Sequence, residues 1–305
     1  MNKNKKFQSI YYCGILTLVK DVKIMELIAS VYSLNDIPRY TELGMTGCIL
    51  SCDYFATRHG KYYTKEEIEK AVKENTGIKF YTNINRIFAQ DELELLKEHL
   101  TWCKEVGFAG IYYSDPAVYM VAKSLGIHDI LIFNQDTVLT NSLDIQGYLD
   151  LGIKRCVISR EITLDEIKGI ISRCEPKLEL MVHGHMNLSY SKRRLVSCYF
   201  DEIGADLDTN CMYTLEEETR KDKMFITQDD QGTHIFTGTR LQMLEEVKEL
   251  NLQAIRIETI FMNAEEIAKA ISAYNKVLNH EEVDTTFSGE LYTSGYLYQK
   301  TNIVK

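Results

Sequence analysis

AGIYYSDPAVYMVAKSLG, residues 109–126, decides the fold. A short β-prone run to Ser114 is followed at once by Asp115, Pro116 and an apolar-periodic stretch that ends at Gly126. An Asp before a helix accepts hydrogen bonds from the free N–H groups of the first turn. Pro suits the first helical position, where its missing N–H is not needed. Glycine then closes the helix in a left-handed conformation. The stretch therefore reads as one strand–helix unit.

The unit recurs. MELIAS (25–30), GCILSC (47–52), IKFYTNI (78–84), DILIFN (129–134), KRCVIS (154–159), LELMVHG (178–184) and QAIRIE (253–258) read as further strands, each short and rich in β-branched or aromatic residues. Helical patterns lie between them. Thr64 with Glu67 three residues on forms a capping-box signal, and Gly44, Gly77, Gly107, Gly126 and Gly152 stand where helices turn into strands. GTRLQMLEEVKELN (238–251) is read as the seventh helix, separated from its strand by a long irregular insertion. Alternating units of this kind predict an α/β fold, a (β/α)8 TIM-type barrel with a long insertion after strand seven. The competing architecture is an open doubly wound sheet. It would be expected to show a glycine-rich phosphate loop after the first strand, which is lacking.

The expected organisation is an N-terminal extension over 1–24, a barrel over 25–280 with its insertion at about 185–237, and a tail over 281–305 packed on the barrel. Within the insertion, KMFITQDDQGTHIFTG reads as a hairpin turning at Asp229–Gly232. The basic start MNKNKK and the apolar IYYCGILTLV resemble a signal peptide. The run is short, bears tyrosines and lacks a small-residue cleavage site, so a strand or ordered extension is expected. No apolar run is long enough to cross a membrane.

The chain has 305 residues, a formal charge of −9 and eight scattered cysteines without a CxxC. This pattern suggests a cytoplasmic protein with buried thiols. The charge gives no support for generic binding to a nucleic-acid backbone, although a local basic patch is compatible with it.

Chemistry in such a barrel gathers at the C-terminal ends of the strands. There the chain carries Ser51, Asp53 and Arg58; Asn83 and Asn85; Ser114 and Asp115; Asn134, Gln135 and Asp136; Arg160 and Glu161; His183 and His185; and Arg256 and Glu258. Asp115 reads as a helix cap. His183 and His185, two apart on a strand, would share a face, but a metal site needs further ligands that nothing in the sequence singles out. Lys192-Arg193-Arg194 is either a clamp for an anion or a solvated face.

LELMVHGHMNLSYSKRRLVSCYF, residues 178–200, resembles the signature of the collagenase-like peptidase family U32. It keeps a strand ending in His183-Gly184, followed by Ser189, Tyr190, Ser191 and Ser197. SDPAV (114–118), NQDTVLTNS (134–142), ISREITLDEI (158–167), QDDQGTHIF (228–236), IRIE (255–258) and SGYLY (294–298) resemble family blocks in the family's order. The resemblance implies a barrel and, nominally, a protease or other hydrolase. It also points to cluster-containing relatives that support hydroxylation of RNA bases or of the ubiquinone ring.

Two cysteines of the cluster-bearing members are replaced here by Asn187 and Arg194. Of a later pair only Cys211 remains, with Leu215 in the partner's place, and Ile260 stands where members often carry an arginine. No cofactor is therefore expected. An iron–sulfur cluster would need Cys52, Cys198 and Cys211 to converge. For a hydrolase, His183 is the expected general base and Glu161 its carboxylate partner. Arg58, Arg160 and Arg256 would hold an anionic group. Asn85, Gln135, Tyr190 and Glu258 would complete the ligand site. The expected ligand is a peptide or a small anion. The alternatives are a non-catalytic subunit with a protein partner of the same family, and a hydroxylation factor for RNA or a small aromatic.

Overall fold

The computed structural model describes residues 25–208, 212–218, 223–283 and 291–299. The expected N-terminal extension, and Cys211 with it, lie outside the described residues.

Strand and helix alternate from the start: β1 (Glu26–Ser30), α1 (Ile37–Glu42), β2 (Gly47–Ile49), α2 (Lys65–Glu74), β3 (Lys79–Ile84), α3 (Leu93–Val106), β4 (Gly110–Tyr113) and α4 (Pro116–Leu125). The alternation continues through β5 (Leu131–Phe133), α5 (Ser142–Asp150), β6 (Arg155–Val157), α6 (Leu164–Ile171) and β7 (Leu178–Ser191). An insertion then supplies α7 (Leu195–Ile203), β8 (Tyr213–Leu215), β9 (Met224–Asp229) and β10 (Gly232–Gln242). The chain ends with β11 (Ala254–Ile257), α8 (Ala264–Leu278) and β12 (Tyr292–Thr293). Strands β1 to β7 pair in order and in parallel. β11 pairs in parallel with both β7 and β1, closing an eight-stranded TIM-type barrel.

The capping signals act as the sequence suggests. Asp115 Oδ1 accepts from the Ala117 N–H at 2.9 Å. The Thr64–Glu67 box is closed in both directions. Gly107 and Gly126 end α3 and α4 at positive φ. Gly77 does not: Asn75 caps α2 instead, and Gly77 has no positive φ.

Two elements differ from the reading of residues 185–251. Residues 238–251 form no α-helix. Their first part completes β10, and Glu246–Glu249 is a single 3-10 turn. Local helix preference gives way because β10 pairs with β7 on one side and with β9 and β12 on the other. Conversely, the segment read as irregular contains α7, closed by Gly204 at φ 66°. The predicted hairpin exists as β9–β10, with Gly232 opposite Asp229.

β7 runs far beyond the barrel, so that β7, β9 and β10 rise as an antiparallel sheet over the barrel mouth. The tip is tied to the rim. Arg86 Nη1 donates to Gln231 Oε1 at 2.8 Å, and Tyr190 Oη donates to the Gln231 carbonyl at 3.1 Å. The described tail lies on β10 through β12, with Leu297 buried. No helix among the described residues is long and apolar enough to cross a membrane.

Most of the core lies between strands and helices. The barrel interior is different. A small apolar cluster that includes Ile28, Ile132 and Val157 shares it with charge. Glu26 bonds Lys79 at 2.5 Å, Tyr81 at 2.5 Å and Arg155 at 3.1 Å. Arg155 reaches Glu179 at 2.9 Å, Tyr112 donates to Glu179 at 3.0 Å, and Glu179 pairs with Arg256 at 3.4 Å. This ladder of alternating charge climbs from the strand starts to the mouth. Gly47 and Gly110 make room for the Tyr81 ring, where a Cβ would crowd it.

Candidate functional site

The ladder ends in a polar pocket at the strand ends. Arg58, Arg160, Arg256, Asp136 and Glu258 line it together with His59, four asparagines (Asn83, Asn85, Asn134 and Asn187) and the apolar Ile49, Ile257 and Phe236. The free cavity is about 30 Å³, room for little more than a water or two.

Arg58 occupies the left-handed region at φ 58°, which is costly for a non-glycine residue. Asn85 holds it there. Its Oδ1 accepts from the Thr57 N–H at 2.8 Å, and its Nδ2 donates to the Thr57 carbonyl at 3.1 Å. Asn85 thus spends its amide on the backbone beside Arg58.

The arginines are already engaged. Asp136 contacts Arg160 at 2.8 Å and Arg58 at 3.4 Å. Burial works to raise the Asp136 pKa, but Arg160 and Arg58 prevail and hold it at about 2. Arg160 also donates to the Asn187 carbonyl, and Arg58 lies 3.4 Å from the Asn187 Oδ1. Arg256 leans on Glu179 and on the Tyr112 ring. Glu258, half-buried, is pushed above the usual carboxylate range by burial, against the pull of Arg256.

His59 was not singled out from the sequence, yet it lies in the pocket wall. Burial first, then Arg256, hold its pKa down at about 4, so it is neutral at pH 7. Its Nδ1 lies 3.5 Å from the Asn83 Nδ2, which has hydrogens to donate. With Asn83 as the donor to Nδ1, the neutral ring carries its proton on Nε2. Both that nitrogen and the Asn134 Oδ1 are buried without a hydrogen-bond partner. The pocket wall therefore holds two unsatisfied neutral groups beside the unsatisfied Arg160 Nε and Arg256 Nε.

Of the residues named from the sequence, Arg58, Asn85, Arg160, Arg256 and Glu258 line the pocket. Gln135 does not. It is exposed, and the next residue, Asp136, enters instead. Tyr190 stands just outside, under the Arg58 guanidinium and stacked on His234. Neither residue expected to carry acid–base chemistry lines the pocket. His183 is fully buried with its ring against Tyr274 of α8 and Tyr292 of β12, and burial holds its pKa at about 3. Glu161 is half-buried beyond Arg160, its pKa raised by burial. His185 does reach the pocket edge. Its Nδ1 donates to the Thr237 carbonyl at 2.7 Å and its Nε2 accepts from Arg240 at 3.1 Å. The pocket serine, Ser30, is bonded to Thr259 Oγ1 at 2.5 Å.

Among the described residues the thiols do not form a ligand set. Cys52 is buried in the core, where burial raises its pKa to about 11, and Cys198 is exposed on α7. Among the described residues, no three His, Cys, Asp or Glu side chains gather as metal ligands. The described residues therefore do not fit an iron–sulfur cluster.

Several known proteins are similar to this chain. The tRNA hydroxylation protein P2 of Bacillus subtilis is 27% identical over 85% of this chain and 87% of its own length. The tRNA hydroxylation protein P of Helicobacter pylori is 25% identical over 90% and 72%. An uncharacterized protease of Methanocaldococcus jannaschii is 25% identical over 79% and 60%. Among solved structures, the U32 peptidase Mk0906 superposes with a TM-score of 0.49 at 12% identity, covering 84% of this chain and 96% of that one. The model of peptidase family U32 matches residues 41–301, and the chain belongs to that family.

Proposed function

We propose that this chain acts in RNA hydroxylation, as a component that receives a tRNA base at the barrel mouth. The observation that carries this is that two neutral groups of the pocket wall, His59 Nε2 and Asn134 Oδ1, are buried without a hydrogen-bond partner. Neutral polar groups of this kind suit the carbonyl and N–H groups on the edge of an uncharged base. Relatives that span most of the chain are named tRNA hydroxylation proteins, which supports the same reading.

A small anion or a peptide carboxylate fits less well, because Asp136 and Glu179 already pair with the three arginines, leaving of their buried nitrogens only Arg160 Nε and Arg256 Nε without a hydrogen-bond partner. The peptidase label of the family also finds little support in the pocket. Its serine is bonded to Thr259, while His59 faces Asn83 and His185 bonds the Thr237 carbonyl and Arg240, whereas nucleophilic catalysis pairs such groups with each other. A base is larger than the free cavity, so binding requires the Arg58 side chain or the β7–β10 roof to move. Asn85 positions the first, and the Arg86–Gln231 bond restrains the second.

The test is nucleoside mass spectrometry of tRNA from a strain lacking its own tRNA hydroxylation. Expression of this chain is expected to restore a nucleoside heavier by one oxygen, and His59→Ala or Asn134→Ala to abolish it. A tRNA profile left unchanged by the wild-type chain overturns the reading.

A further inference from the structure

α7 carries a face that no described residue covers. Its inner side is set by Val196, Ser197 and Phe200. The Val196 and Ser197 N–H groups donate to Gln228 Oε1 at 3.0 and 3.1 Å, and the Phe200 ring meets Tyr213 at 5.1 Å. At 3.6 residues per turn, Leu195, Tyr199 and Ile203 then share the outer side. They are 45%, 60% and 54% exposed. Cys198 is exposed beside them.

Charge is sorted along the same helix. Lys192, Arg193 and Arg194 precede it, and Asp201, Glu202 and Asp206 stand at its end, all exposed. Arg194 is held by Asp230, which leaves Lys192 and Arg193 facing solvent.

We infer that this face seats the same face of a second copy, with two α7 helices antiparallel about a two-fold axis near Tyr199. A two-fold contact must be self-complementary. The antiparallel arrangement sets each basic end over the other copy's acidic end and packs each apolar row on its mate. A parallel arrangement would stack like charge on like. A polyanion such as RNA matches only the basic half and is repelled by the acidic half. The contact is small, so the dimer is a weak one in exchange with monomer. This inference is independent of the function proposed for the pocket.

Sedimentation velocity over a concentration series of the full chain tests it. The mass is expected to rise from monomer to dimer. Tyr199→Glu should weaken association by about tenfold or more with an unchanged circular-dichroism melt. Lys192→Glu with Arg193→Glu should also weaken it, and adding Asp201→Lys and Glu202→Lys should restore it. A short bis-maleimide should link two copies, and Cys198→Ser should prevent the link. A wild-type chain that stays monomeric throughout overturns the inference. So does a dimer that survives Tyr199→Glu, or a charge-reversed chain that the second pair of changes does not rescue.

Discussion

Gly184 shows how narrow the tolerance is beside the pocket. It sits at φ 114°, and a Cβ there would collide with the Glu258 carbonyl oxygen. β7 carries one extra residue against β11 at this height, where Ile257 pairs with His183 although Arg256 pairs with Met181. Glycine lets the strand pass Glu258 on its way out of the barrel. Gly184→Ala is expected to cost about 2–4 kcal/mol, read as a lowered urea midpoint at unchanged m-value. A loss below about 0.5 kcal/mol would mean that the crowding is relieved by backbone movement. His59 is the residue the sequence hides best. It follows Arg58 in a loop without a motif, and only burial beside Arg256 keeps its ring neutral.

At the scale of elements, the caps were legible because their chemistry is local. Thr64 and Asp115 each accept from first-turn N–H groups of the helix they precede. Thr64→Ala is expected to destabilise by about 1 kcal/mol, measurable by thermal melting, with no change at the pocket. A neutral result would show that water replaces the cap. The reading failed where pairing partners lie far apart in sequence. Residues 232–242 are a strand because β7 and β9 supply the ladder, and α7 is a helix because Gln228 and Thr233 receive its first turn.

At the scale of the molecule, the ladder Glu26–Arg155–Glu179–Arg256 runs the length of the barrel interior. Glu179→Ala leaves Arg155 and Arg256 as buried charges without their shared partner, and breaking a buried pair this way costs about 3–5 kcal/mol. Chemical denaturation should show that loss, and a variant as stable as wild type would remove the ladder from the stability argument.

The pH dependence follows from depressed pKa values. His59 titrates at about 4, and His99 and His183 at about 3, against 6.5 for the ordinary side chain. Between those values the unfolded chain binds protons that the folded chain does not. Stability is therefore full above about pH 6.5 and falls as pH drops toward 4 and 3. Asp136 and Glu26, both held near 2, add a second loss below about pH 4. Glu258, raised by burial, works in the opposite direction. Urea midpoints at a series of pH values should fall on acidification from neutrality, with a smaller slope in His59→Gln. A flat profile from pH 7 to 5 would contradict the burial of these histidines as neutral rings.

By itself the sequence determined the alternation, the caps and so the barrel, because hydrophobic period and helix ends are local properties of the chain. The strand-end positions of Arg58, Arg160, Arg256 and Glu258 followed from the same alternation. Only the tertiary structure decided which of these charges remain available to a ligand. Asp136 and Glu179 pair with the arginines across strands far apart in sequence, and β7 turns His183 against α8 and away from the pocket. Direction and pairing depend on through-space neighbours, and no local pattern encodes them.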